Sequence, residues 1–291
     1  MSAMSGRTPP PSSPGSLRIA ARDDQTPGAT GARRLVAKVP EVTALFWIIK
    51  ILTTGMGETF SDFLVSHVNP GLALGGAAIA LAIALIAQFR SDRYRLWIYW
   101  SAVVMVAVFG TMIADVLDFV VGLPYLVTTV GLSIVLAVIL VRWYVRERTL
   151  SVHSITTPRR ERFYWSMVMT TFALGTVAGD LTANWLRLGY LGSIVLFAIA
   201  IAVPAAAYRW AGLGTVTAFW SAYIITRPLG ASITDWLSSS RQDGLGLGTG
   251  WISLGATIAI VALLGLLGMR GADPTAGLHS DAVHPTEEAD G

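Results

Sequence analysis

FWIIKILTTGMGETFSD, residues 46–62, is apolar enough to lie in a bilayer and yet carries Lys50, Glu58 and Asp62. Three later stretches align with it without a gap: YWSAVVMVAVFGTMIAD (99–115), YWSMVMTTFALGTVAGD (164–180) and FWSAYIITRPLGASITD (219–235). Each opens on an aromatic residue followed by Trp, then places Gly ten positions after that Trp and Asp fifteen after it. The tryptophans are Trp47, Trp100, Trp165 and Trp220; the glycines are Gly57, Gly110, Gly175 and Gly230; the aspartates are Asp62, Asp115, Asp180 and Asp235. The same two spacings recurring four times identify a tandem repeat.

Working outward, the composition excludes an ordinary soluble domain. Of the 291 residues, 53% are hydrophobic and 13% are charged, where a soluble domain carries about a quarter charged. With its long apolar runs, the chain reads as an all-α membrane protein that crosses the bilayer several times. The runs lack the alternation of transmembrane strands. There is no cysteine, hence no disulfide, thiolate metal site or cysteine nucleophile. Residues 1–37 and 271–291 are rich in small and polar residues. They are expected to be disordered tails flanking a transmembrane domain over 38–270.

Eight apolar segments fall at about 42–66, 71–89, 96–121, 124–145, 163–187, 190–208, 212–238 and 248–269, each near the ~20 residues that cross a bilayer as a helix. They group into repeats of about 42–90, 95–147, 160–209 and 212–270, each pairing one motif helix with a plainer one. A two-span unit returns the chain to its starting side. The expected fold is therefore four parallel helical hairpins in two similar halves, divided by the basic loop 146–162. Lys and Arg set the orientation. Of the 21 such residues, Arg187 and Arg241 alone fall in outer connections, Lys50 and Arg227 lie within spans, and the rest are on the inner side. Both termini are thus expected in the cytoplasm. The net charge of +3 is explained by this rule, and nucleic acid is not an expected partner.

With its opening KVPEVTALFWIIKILTTGMGETFSDF, this pattern of four two-span units resembles the bacterial DUF347-repeat membrane proteins, over about residues 38–270. The resemblance implies a multi-pass protein of the bacterial inner membrane with no assigned function; a description as membrane-anchored regulator also attaches to such proteins.

The tryptophans sit near the cytoplasmic ends of their helices and are expected at the interface, where indole is favoured; stacking or gating is the alternative. The glycines let backbones approach closely, or else mark a helix break or a backbone ion ligand. The aspartates are placed against two forces. They stand near the negative end of the helix dipole, which disfavours a carboxylate by about 0.3–1 kcal/mol. A charge deep in a span also costs about 2.5–3.5 kcal/mol on insertion scales. Two readings answer this cost. Each Asp caps the next helix as a clasp, or the four converge on a cation or protons.

Departures from the repeat add to the second reading. Glu58 precedes Asp62 by four residues and Asp118 follows Asp115 by three, so each pair shares a helix face. Paired carboxylates share a proton or a cation. Arg227 precedes Pro228, which removes a helix hydrogen bond and favours a kink. Lys50 is expected to snorkel inward, and any ion pairs of Lys50 and Arg227 with the carboxylates are expected between helices.

His67, His153, His279 and His284 have no metal-ligand spacing, and no P-loop, dinucleotide fingerprint or G-x-S-x-G occurs. No enzyme and no cofactor are expected, and the identity of any bound metal is open. The expected function is a small cation or proton-coupled transporter or exporter. Asp62, Asp115, Asp180 and Asp235 would form its site, Glu58 and Asp118 would assist, and Arg227 would set occupancy. The alternative is a non-transporting scaffold or regulator whose working surface is the basic loop, itself a topology determinant and anionic-lipid contact.

Overall fold

A computed structural model of the chain describes residues 38–242 and 244–271. Among them are eight α-helices and no strand: α1 (Ala44–His67), α2 (Pro70–Arg90), α3 (Leu96–Asp115), α4 (Tyr125–Glu147), α5 (Pro158–Asp180), α6 (Gly189–Trp210), α7 (Thr215–Ser238) and α8 (Thr249–Gly271). Apart from Gly271, the tails expected at 1–37 and 271–291 lie outside the described residues.

Local chemistry sets several boundaries. Thr43 caps α1 by accepting the Phe46 N–H, and Asn69 caps α2 by accepting from Gly71 and Leu72 ahead of Pro70. Thr157 accepts from Arg160, and with Pro158 it starts α5 five residues before the apolar run at 163 begins. The helix α7 continues through Pro228. After Asp115 and after Asp180 the chain widens into five-residue π-helical turns, Val116–Val120 and Leu181–Trp185.

The four motif helices form a closed inner ring in which α1 packs on α3, α3 on α5, α5 on α7 and α7 back on α1. One rule builds every side of it. A Cβ added to Gly57 would meet Ala107, to Gly110 would meet Phe172, to Gly175 would meet Arg227, and to Gly230 would meet Thr54. Each glycine thus faces the residue seven positions after the Trp of the next repeat. The absent side chain lets neighbouring helices touch almost backbone to backbone.

The aromatic pairs repeat the pattern nearer the helix starts. Phe46 packs on Trp100, Tyr99 on Trp165, Tyr164 on Trp220 and Phe219 on Trp47, with ring centres 5.7–6.4 Å apart. Two matched levels on all four sides mean that the inner helices run parallel and in register.

This corrects two expectations. Trp100, Trp165 and Trp220 are buried at 2–4% exposure and Trp47 is half-buried, so the tryptophans close the ring's core rather than line a lipid interface. Each indole finds an apolar partner in the preceding repeat, and that contact outweighs its preference for headgroups. Second, the helices of one repeat do not close as a hairpin. The plainer helices pack along the next repeat's motif helix, α2 on α3, α4 on α5, α6 on α7 and α8 on α1. The glycine contacts hold the motif helices against one another and displace each partner outward.

The outer helices present apolar side chains to their surroundings, among them Leu72, Ile79, Ile134, Ile199 and Ile258. Among the described residues five helices are long and apolar enough to cross a membrane: α2, α3 with its π turn, α4, α6 and α8. The other three, α1, α5 and α7, carry most of the ring's charged residues, among them Lys50, Glu58, Asp180 and Arg227. At the end of the bundle where the motif helices start, Lys38 donates to Glu161 at 2.8 Å and Gln88 donates to the same carboxylate at 2.9 Å. This buried triad ties the first repeat to the third.

Candidate functional site

Reading along the axis of the inner ring from the N-terminal ends of its helices, polar residues succeed one another in layers. The first is the Tyr99–Tyr164 pair, hydroxyl to hydroxyl at 2.5 Å. Next comes Lys50, at 1% exposure. Its Nζ donates to the Tyr223 carbonyl at 3.0 Å and stands 3.9 Å from the centre of the Tyr223 ring. Lys50 therefore does not snorkel to water; the neighbouring helix supplies its acceptor and a π face.

One turn further, Arg227 is fully buried. Its guanidinium lies 3.1 Å from the centre of the Phe172 ring and donates to Thr54 Oγ1 at 2.8 Å and to the Tyr223 hydroxyl at 3.1 Å. Its Nε has no partner. Among the described residues neither Lys50 nor Arg227 pairs with a carboxylate, within its helix or between helices. Hydroxyls, a carbonyl and aromatic faces replace such pairs.

Glu58 occupies the next layer at 7% exposure. Its Oε2 accepts from Thr111 at 2.9 Å and from Thr176 at 2.8 Å, two threonines that follow the repeat glycines of α3 and α5. Three of the four repeats thus hold one carboxylate between them on the axis. Beyond it stand Asp62, Asp115, Asp180 and Asp235, all half-buried and near enough to interact electrostatically with one another. Asp235, Asp62 and Asp115 also act on Glu58. Asp62 and Asp115 further line a groove of ≈360 Å³ reaching the surface between α1, α2 and α3.

Among the described residues none of the four aspartates accepts a hydrogen bond from the first turn of α2, α4 or α6. Asn69 caps α2, and α4 and α6 have no side-chain cap. Among the described residues Asp62, Asp115 and Asp235 accept no side-chain hydrogen bond, while Asp180 accepts from Asn184 at 3.0 Å. The clasp belongs to other residues. Asp118 accepts from Thr128 of α4 at 2.7 Å, and Thr182 donates to Ser193 of α6 at 2.8 Å. Thr128 and Ser193 occupy equivalent places, 28 residues after their repeat's Trp. Asp118 therefore secures a helix junction, although it shares an electrostatic environment with Asp115.

The four glycines lie at ring contacts and the four tryptophans in the aromatic layer. Among the described residues no three carboxylate or histidine side chains are grouped so as to hold a metal ion. Sequence reasoning missed Thr54, Thr111, Thr176, Phe172 and Tyr223. Aligning repeats would have marked Thr111 and Thr176, which share a column with Glu58. The column of Thr54, Ala107, Phe172 and Arg227 has no shared chemistry to notice.

The family model described as a repeat of unknown function (DUF347) matches the chain four times, over residues 45–94, 98–149, 163–213 and 218–271. No curated protein and no solved structure matches it.

Proposed function

We propose that this chain, which belongs to the DUF347 repeat family, is an eight-span membrane transporter that carries protons or a small cation along the axis of its inner ring. Parallel packing supports the span count. The helix α3 is long and apolar enough to cross, and α1, α5 and α7 lie beside it in register, so they cross at the same depth with their polar residues turned to the axis. The Lys and Arg distribution supports both termini in the cytoplasm, with the aspartates in the outer half.

The carrying observation is Glu58: a buried carboxylate on the axis, held by threonines from two other helices, between Arg227 and the four aspartates. Intramembrane carboxylates in a bundle interior are costly and mark ion or proton paths. Carboxylates spread along the axis suit a proton or hydrated cation in passage more than a tightly coordinated metal. The aspartates would gather the cation from outside, Glu58 would receive it, and the Arg227–Phe172 pair would close the path towards the cytoplasm.

Flux in proteoliposomes tests this, with proton-sensitive dye inside and a panel of monovalent and divalent cations outside. The expected result is a flux that falls at least tenfold in Asp62→Asn, Asp115→Asn, Asp180→Asn or Asp235→Asn. Flux unchanged in every variant removes the proposed site. No flux from the wild-type protein under any gradient favours the scaffold reading instead.

A further inference from the structure

We infer that the basic groove where α4 ends and α5 begins is a binding site for an anionic phospholipid. The groove has a volume of ≈530 Å³ and is lined by Val141, Arg142, Val145, Arg146, Arg159 and Phe163. Arg142 and Arg146 stand one turn apart on α4, and Arg159 reaches in from the first turn of α5. All three are exposed. The acidic residue at hand, Glu147, is engaged by Arg160 at 2.8 Å, with Arg159 more distant at 3.8 Å. Among the described residues Arg142 and Arg146 make no ion pair. The site thus offers guanidinium donors that suit a phosphate and are not already neutralised.

The walls specify the rest of the ligand. Towards the middle of α4, Val145, Val141, Val138 and Ile134 follow turn by turn, each between 48% and 61% exposed. Phe163 forms the flank and is held by stacking on the buried Trp143. A phosphate on the arginines would lie above an apolar track of the depth an acyl chain needs. Because α4 is one of the helices fit to cross a membrane, this track would face the bilayer, and a phospholipid joins the phosphate and the acyl chain in one molecule. Free phosphate would leave the valines uncovered, and a soluble protein would reach only the arginine rim. This inference stands independently of transport.

Native mass spectrometry of the full chain in detergent, titrated with phosphatidylglycerol against phosphatidylcholine, tests it. The wild-type protein is expected to retain phosphatidylglycerol preferentially. Arg142→Gln/Arg146→Gln/Arg159→Gln is expected to bind it roughly a hundredfold more weakly, and Arg146→Gln alone about fivefold, from the usual contribution of each basic residue near a charged membrane. Arg90→Gln/Arg93→Gln/Arg95→Gln, an equal loss of charge at the α2–α3 junction, is expected to bind as wild type. Equal loss in both triples would mean diffuse attraction and overturn the site. Displacement of the lipid by millimolar inorganic phosphate would reassign the groove to a free anion. Retention by the first triple, or by Arg146→Gln should the triple fail to fold, would also overturn it.

Discussion

The Arg227 guanidinium lies over the Phe172 ring, 3.1 Å from its centre, in the interior of the bundle and without a carboxylate partner among the described residues. Removing a buried charge in favour of an apolar chain of similar length is often neutral or stabilising. Arg227→Met is therefore expected to unfold within about 1 kcal/mol of the wild-type protein or above it. Arg227→Lys keeps the charge but loses the guanidinium over the Phe172 ring and the fork that reaches both Thr54 and Tyr223. It is expected to be less stable by about 1–3 kcal/mol. Thermal unfolding in detergent separates the two. If Met also fails, the arginine is a structural keystone and its presence says nothing about transport.

The ring glycines predict an ordered series. A Cβ on Gly175 would stand 2.5 Å from Arg227 Cβ and 3.1 Å from its carbonyl carbon, and one on Gly110 would stand 2.7 Å from Phe172 Cβ. Backbone and Cβ atoms cannot rotate away. Gly175→Ala and Gly110→Ala should each lose about 1–3 kcal/mol by overpacking. On Gly230 the contacts are looser, with Thr54 Cγ2 at 2.9 Å and its Cβ at 3.1 Å, so Gly230→Ala should lose less. Gly76→Ala and Gly131→Ala, on outer helices with nothing within 4 Å, should unfold as wild type or up to about 1 kcal/mol above it. Equal effects at all five positions would refute the close-approach account.

Much of this ring was legible in the repeat spacing. Gly and Asp stand at fixed distances from Trp because each meets the same surroundings four times, and the parallel direction followed from two-span units. The residue that each glycine touches was not legible, because Thr54, Ala107, Phe172 and Arg227 share only a position. Nor could spacing say that α2 would lie on α3 rather than α1, since a short connection fixes which helices are joined and not which faces meet. The tryptophans were misplaced for a related reason. Indole is favoured both at a lipid interface and against another ring, and only the neighbouring repeat's Phe or Tyr decides between them. For the candidate site, all the carboxylates were visible as charges in apolar runs. The threonines holding Glu58 were hidden by being ordinary residues in spans.

Glu58 and its two threonines allow a charge to be separated from a hydrogen bond. Glu58→Gln keeps an acceptor for Thr111 and Thr176, so its unfolding is expected to stay within about 1 kcal/mol of wild type. Proton flux is expected to fall more than tenfold and to lose its dependence on pH. Thr111→Val/Thr176→Val leaves a buried carboxylate without donors and is expected to lose about 1–3 kcal/mol or more. In the Glu58→Gln background the same double change should lose measurably less, a coupling that a double-mutant cycle resolves. Normal, pH-dependent flux through Glu58→Gln would take that residue off the path.

Closure of the ring between its first and last motif helices is the feature on which the axial path depends, and it can be tested directly. An added Cβ on Gly55 of α1 would lie 3.5 Å from Thr234 Cβ of α7, at the short end of the usual range for disulfide Cβ pairs, roughly 3.5–4.5 Å. The chain contains no cysteine, so Gly55→Cys/Thr234→Cys supplies a single thiol pair. Mild oxidation in membranes should join the two helices, seen after cleavage at a protease site inserted in the loop 148–157 as fragments that separate only on reduction. Each single variant should give free fragments. A double variant that stays unlinked under oxidation while its thiols react with a small maleimide would mean that α7 does not return to α1. The polar column would then be an open groove, and neither Arg227 nor Glu58 would lie on a closed axis.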